Sequence, residues 1–162
     1  MKHVFRALAR IGRADLAFQM LVNPTKPSPV EWIQKGGTTL WEDWADGSSR
    51  NHIMFGDFVA WAYQYLAGIR LEEVAGSTSA VPLVTTPGFK DLVIEPCLVD
   101  ALTWVKASVE SPYGTIESAW KRDGKNIVYT IKLPPNTRAL LKLPGLAPKR
   151  VEGGRYSFIV AR

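Results

Sequence analysis

The feature that most constrains this chain is a change of hydrophobic period near residue 70. Before it, apolar residues recur at the 3.6-residue spacing of a helix. After it, they alternate every second residue, the spacing of a half-buried strand. A chain of 162 residues built this way is expected to be helical up to about residue 68. A connection over Ile69–Ser79 and β-structure from about residue 80 should follow. The fold class is therefore α+β and multidomain, with helices and strands segregated along the chain.

In the first part, Val4, Leu8, Ile11, Phe18 and Val22 predict one amphipathic helix from Lys2 to Val22, stopped by Asn23-Pro24. Gly12 weakens its middle by about 1 kcal/mol relative to alanine. Ser28-Pro29-Val30-Glu31 carries a capping box with proline at the first helical position, and Gly36-Gly37 ends that short helix. A loop from Thr38 to about Arg50 leads to a helix from His52 to Ala67, with Gly68 as its stop. In the second part the strand candidates are Leu92–Ile94, Leu102–Val109, Ile116–Trp120, Ile127–Leu133, Arg138–Leu143 and Tyr156–Val160, with Val81–Val84 weaker. Asp123-Gly124 is a hairpin signal, and Pro134-Pro135-Asn136 reads as a further turn. Seven or so short strands at this spacing predict an antiparallel β-sandwich.

Composition removes several function classes. Cys97 is the single cysteine and there are two histidines, too few soft ligands for a structural zinc site. Cys97 has no basic neighbour within two positions in the sequence to activate it and reads as a buried, inert thiol. Glu42, Asp43 and Asp46 lack the alternating acids of a calcium loop, so no metal is predicted. The net charge of +5 divides into +2 over residues 1–70 and +3 over 71–162, so neither part is a basic pole. The Lys/Arg excess in 132–162 is spaced along strands and reads as a solvated face; nucleic acid is not expected. No apolar run reaches the roughly 18 residues of a membrane span.

Aromatic residues concentrate between Trp41 and Tyr65, where seven of the seventeen in the chain lie. Trp41 and Trp44 sit in a polar, glycine-flanked loop among Glu42, Asp43 and Asp46. Two readings stand on composition. Such rings stack on apolar sugar faces while carboxylates take hydroxyls, or the tryptophans simply plug the loop into a core. His52 follows at a helix start beside this acidic loop.

The run Gly37-Thr38-Thr39-Leu40-Trp41-Glu42-Asp43-Trp44, then Ser49-Arg50-Asn51-His52, Phe55-Gly56 and Trp61–Ile69, resembles the end of the catalytic domain of bacterial α-L-rhamnosidases, glycoside hydrolase family 78. Downstream, Pro87-Gly88-Phe89-Lys90, Ile94-Glu95-Pro96 and Ser111-Pro112-Tyr113-Gly114 with Trp120 resemble that family's C-terminal β-sandwich. The resemblance implies the terminal helices of an (α/α)6 barrel over 1–70 and a C-terminal β-sandwich over 71–162. The chain would then be the C-terminal portion of a longer enzyme, with Met1 an artificial start.

The implied activity is hydrolysis of terminal α-L-rhamnosyl bonds in rhamnose-containing glycosides or polysaccharides, with inversion and no cofactor. By the same resemblance Glu42 is the general base, His52 contacts the sugar, and Trp41 and Trp44 wall the subsite. Asp43 stands where the family commonly has a basic residue. The family's Asp-Cys-Pro-type segment bearing the general acid does not occur in these residues, and the reaction needs two carboxyl groups, so the chain alone is expected to be inactive. Two other readings compete: a non-catalytic carbohydrate-binding or structural β-sandwich module, and a fragment of another (α/α)6 glycosidase. The sequence leaves the compartment open between periplasmic or secreted and cytoplasmic. The apolar stripe of the first helix is expected to pack on the strand-rich part or to drive self-association through exposed helical faces.

Overall fold

The computed structural model describes residues 3–25, 27–45, 47–74 and 83–161. Met1, Lys2, Asp46, the end of the expected connection at 75–79 and Val81–Pro82, on which some of the readings above fall, lie outside the described residues. The chain divides into two units, one ending at Ala62 and the other beginning at Tyr63.

The helical unit departs from expectation at its start. The predicted single helix is two, α1 (Val4–Arg10) and α2 (Ala14–Val22), because Gly12 adopts a left-handed φ of 78° and breaks the ladder. The break resets the helical phase, so a stripe counted across it does not describe one face. The buried positions are Phe5, Ala9, Ala14 and Ala17, while Val4 and Ile11 of the expected stripe are exposed. Phe5 packs its ring on those of Phe58 and Trp61, at centroid distances of 6.3 and 5.6 Å. Arg6 pairs with Asp57, which also accepts the His3 backbone N–H at 3.2 Å.

Helix α3 (Pro29–Gln34) forms as predicted, with the Ser28 hydroxyl accepting the Glu31 N–H at 3.3 Å. The helix expected from His52 to Ala67 is a composite: a 3₁₀ turn over Ile53–Gly56, α4 (Asp57–Trp61), then a π-helical turn over Ala62–Leu66.

Among the described residues the sheet unit has six strands: β1 (Ile69–Leu71), β2 (Asp91–Ile94), β3 (Trp104–Ser111), β4 (Gly114–Asp123), β5 (Asn126–Leu141) and β6 (Lys149–Ala161). Strand β1 falls in the stretch expected to be a connection, and Glu73 bridges to Val84 beyond it. The expected sandwich of separate antiparallel strands is one continuous sheet, ordered β1-β2-β5-β4-β3 with β6 also on β5. Its β2–β5 pair is parallel.

Strand β5 explains the difference. Ile127–Leu133 and Arg138–Leu143 were expected as two strands around a turn at Pro134-Pro135-Asn136. The chain instead runs through as one strand with a register irregularity between Leu133 and Arg138. Across from the prolines stands Gly153, where a Cβ would lie 2.5 Å from the Pro134 carbonyl oxygen. The missing side chain on β6 thus lets the Pro-Pro segment bend without ending the strand. The first half of β5 pairs with β4 and the second with β2, yet both halves turn apolar residues into one core. Ile116, Trp120, Tyr129 and Ile131 meet Leu92, Ile94, Ala139 and Leu141 there, so the sheet curls over its own interior.

At the entry to this unit, four successive backbone carbonyls left by the helical turn are all taken up. Tyr65 O accepts the Cys97 N–H at 2.7 Å, and Leu66 O accepts the Trp120 indole N–H at 2.9 Å. Ala67 O accepts the Ser118 hydroxyl at 2.7 Å, and Gly68 O accepts the Glu95 N–H at 3.0 Å. These are the groups a helix C-terminus leaves unpaired.

Candidate active site

Three of the predicted site residues, Trp41, Glu42 and His52, lie on two segments, 39–42 and 49–52, clipped side by side in the helical unit; Trp44 follows in the loop between them. The Glu42 N–H donates to Ser49 O at 2.8 Å and the His52 N–H to Leu40 O at 2.8 Å. The Thr39 hydroxyl donates to Arg50 O. This ladder brings two residues ten positions apart in sequence face to face. Glu42 Oε2 lies 3.9 Å from His52 Nδ1, and the Ser49 N–H donates to the same carboxylate oxygen at 3.2 Å. Both side chains keep access to water, with 43% of the Glu42 side chain and 37% of the His52 side chain exposed. The carboxylate is thus held by a backbone donor and open to water on one side.

Asp43, next to Glu42, builds the loop. Its carboxylate accepts the Ala45 N–H at 2.9 Å and the Ser48 hydroxyl at 2.6 Å, and its carbonyl accepts the Trp32 indole N–H at 3.2 Å. Asx-type bonds of this kind close a tight turn.

The two tryptophans part company. Trp41, expected to wall a sugar subsite, is only 3% exposed, with the Arg50 guanidinium 4.8 Å from its ring centroid. A ring buried on one side and capped by a cation on the other has no face to offer, so in this chain Trp41 packs. Trp44 is half-buried and stacks on Trp32, at 4.4 Å, and on Phe55, at 5.2 Å, the three rings forming one cluster. What sequence reasoning missed is this support: Trp32 from α3 and Phe55 from the 3₁₀ turn pin the loop that carries Glu42. The available signal was an aromatic residue in the short helix directly before the Gly36-Gly37 break.

Two protein families match this chain in succession. Residues 1–66 match the bacterial alpha-L-rhamnosidase 6 hairpin glycosidase domain, and residues 84–158 match the bacterial alpha-L-rhamnosidase C-terminal domain. An alpha-L-rhamnosidase of Formosa agariphila is 31% identical over 148 residues, which is 85% of this chain and 15% of that protein. The solved alpha-L-rhamnosidase of Dictyoglumus thermophilum superposes with a TM-score of 0.83 at 26% identity, over 99% of this chain and 20% of its own. That of Streptomyces avermitilis, solved in complex with L-rhamnose, gives 0.81 at 25% identity, over 97% and 17%. The chain thus spans about 15% of the length of the curated relatives it matches. On these matches the chain belongs to the bacterial α-L-rhamnosidase family.

Proposed function

We propose that this chain is the C-terminal portion of an inverting α-L-rhamnosidase, contributing residues 1–70 to the end of an (α/α)6 catalytic barrel and residues 71–162 as a C-terminal β-domain. The enzyme hydrolyses terminal α-L-rhamnosyl bonds of glycosides or polysaccharides. In this reading the Glu42 carboxylate takes a proton from water as the water oxygen attacks the anomeric carbon. A second carboxyl group, supplied from outside these residues, protonates the departing glycosidic oxygen. The two carboxyl groups stand about 6.5–9.5 Å apart so that the water fits between carboxylate and sugar. His52 hydrogen-bonds the sugar, and the exposed part of Trp44 contacts its apolar face. Trp41 holds the loop in place. With one carboxyl group of the pair, the isolated chain turns over no substrate.

The observation that carries this reading is the pairing of Glu42 and His52, with Oε2 3.9 Å from Nδ1 and a backbone N–H fixing the carboxylate. The test is made on an enzyme that carries this segment behind a complete barrel. Proton NMR of the first-formed sugar from an α-L-rhamnoside should show the β-anomer before mutarotation. An α-anomer as first product would exclude inversion, and hydrolysis of glucosides or uronides in preference to rhamnosides would exclude the substrate.

A further inference from the structure

The outward face of strands β3–β6 carries a feature that the Glu42 site does not use. Side chains alternate along each strand, and the registers line up three cross-strand rows on this face. One row is Lys106, Ala119, Thr130 and Ser157. On one side of it runs Glu117, Lys132 and Arg155, and on the other Trp104, Lys121, Val128 and Ile159. Ala119, Thr130 and Ser157 are small and their flanking neighbours are long, so the middle row is the floor of a trough. The open hollow between this row and the Glu117, Lys132 and Arg155 row has a volume of about 440 Å³. With strands about 4.8 Å apart, the trough crosses four strands and is about 14 Å long.

Its charge is one-sided. Lys132 Nζ pairs with Glu117 Oε1 at 2.8 Å, while no carboxylate among the described residues ion-pairs with Lys106 or Arg155. The Lys132 hydrogen bond, together with the charges of Lys132, Arg155 and Lys106, holds the Glu117 carboxyl below its usual range; all three cations therefore act on one point. Two residues before Lys106 on the same face, the Trp104 ring is 65% exposed. An exposed indole beside Lys106, at one end of a trough with more cations than carboxylates and a hydroxyl-bearing floor, suits an oligosaccharide with apolar ring faces, hydroxyls and a negative charge.

We propose that this trough binds an acidic oligosaccharide, with Lys106 and Arg155 on the carboxylate of a uronic-acid unit, Thr130 and Ser157 on hydroxyls, and Trp104, beyond Lys106 at the β3 end, against the ring of a neighbouring unit. The proposal rests on the rhamnosidase reading only for sugar as the ligand class. It gives the β-domain a role of its own, holding a charged polysaccharide through units other than the one cleaved. A single exposed aromatic favours sugar over single-stranded nucleic acid, which is held by successive stacking platforms.

The test uses the 162-residue chain with a trimer of galacturonic acid, the fully methyl-esterified trimer as a neutral control, and a deoxynucleotide trimer. The acidic trimer should shift the amide resonances of Thr130 and Ser157, and at least tenfold more ester should be needed for the same effect. The double variant Lys106→Ala/Arg155→Ala should weaken binding of the acidic trimer at least tenfold. Ser157→Trp, which fills the trough at an exposed strand position that accepts aromatics, should do the same. Equal binding of the ester, equal or tighter binding of the deoxynucleotide, undiminished binding by both variants, or no binding at all would each overturn the proposal. The readout is binding and not turnover. Absence of rhamnoside hydrolysis by the longer enzyme therefore counts against the earlier reading alone, and absence of uronate binding against this one alone.

Discussion

The indole N–H of Trp120 donates to the carbonyl of Leu66 at 2.9 Å, tying the centre of β4 to the end of the π-helical turn that leads into the sheet. Trp120 is 1% exposed, so this bond is made away from water and nothing replaces it if it is lost. The neighbouring Ser118 hydroxyl does the same for the Ala67 carbonyl. One strand therefore caps two successive carbonyls of the preceding turn.

Trp120→Phe keeps most of the apolar volume but removes the donor, leaving the Leu66 oxygen buried and unpaired. The expected cost is about 1–3 kcal/mol. Urea denaturation should show a lower midpoint with an unchanged slope, and Ser118→Ala a smaller loss of the same kind.

Gly68 follows that turn with φ at 78°, and a Cβ there would stand 2.3 Å from the Pro96 nitrogen and 2.4 Å from the Glu95 carbonyl carbon. Backbone atoms cannot step aside as a flexible side chain can. Gly68→Ala should therefore be among the most damaging single changes in the sheet unit, costing more than the 1 kcal/mol or so typical of point substitutions. Thermal melts followed by near-ultraviolet circular dichroism would report it.

Acid should loosen the sheet unit. Asp91 is buried and accepts hydrogen bonds from the Thr86 hydroxyl at 2.7 Å and from Arg138 Nε at 2.8 Å. The Thr86 bond first, then Arg138, holds its carboxyl below the usual range, and Arg150 does likewise for Glu72. A carboxyl whose pKa is lower folded than unfolded contributes stability that is complete above its unfolded value of about 4. That contribution is lost as pH falls through the lower folded value. Urea midpoints should be flat from neutral pH to about 5 and fall below about 4. Asp91→Asn should be less stable at neutral pH and show a shallower fall in acid.

Much of this was legible in the sequence, and the misses have physical causes. The Ser28 N-cap and the hairpin at Asp123-Gly124 are readable because each depends on contacts within a few residues; of the expected capping box the structure forms the half in which Ser28 caps Glu31 N–H. Gly12 reads as a weak point in the sequence and is a break in the structure, since a left-handed residue resets the phase of the apolar stripe. Pro134-Pro135 was read as a turn and lies within a strand, because the permission comes from Gly153 on the neighbouring strand. Strand β1 was missed because three residues are too few to show a period, and its pairing with Leu92–Ile94 is a long-range fact. At the candidate site, the spacing between Glu42 and His52 was on the page, whereas the burial of Trp41 depends on Trp32 and Arg50, which no local pattern announces.

The helical unit leaves large apolar side chains in water. Ile11 is 73% exposed, Ile33 69% and Ile53 85%. In the proposed enzyme the rest of the barrel covers such side chains; in isolation the chain should self-associate through them. Light scattering should show a concentration-dependent rise in mass, which Ile33→Glu or Ile53→Glu should reduce. A clean monomer at all concentrations would mean that these positions carry no contact surface.

The central claim is that Glu42 is the general base, and the kinetics of Glu42→Gln in an enzyme with a complete barrel test it most directly. Glutamine keeps the shape and the acceptor for the Ser49 N–H but cannot take a proton from water. The turnover number on an α-L-rhamnoside should fall about 10²–10⁴-fold with little change in KM. His52→Ala should chiefly raise KM. If Glu42→Gln keeps more than about a tenth of the wild-type kcat, a barrier change under roughly 1.4 kcal/mol, Glu42 is a structural loop residue and the assignment is wrong.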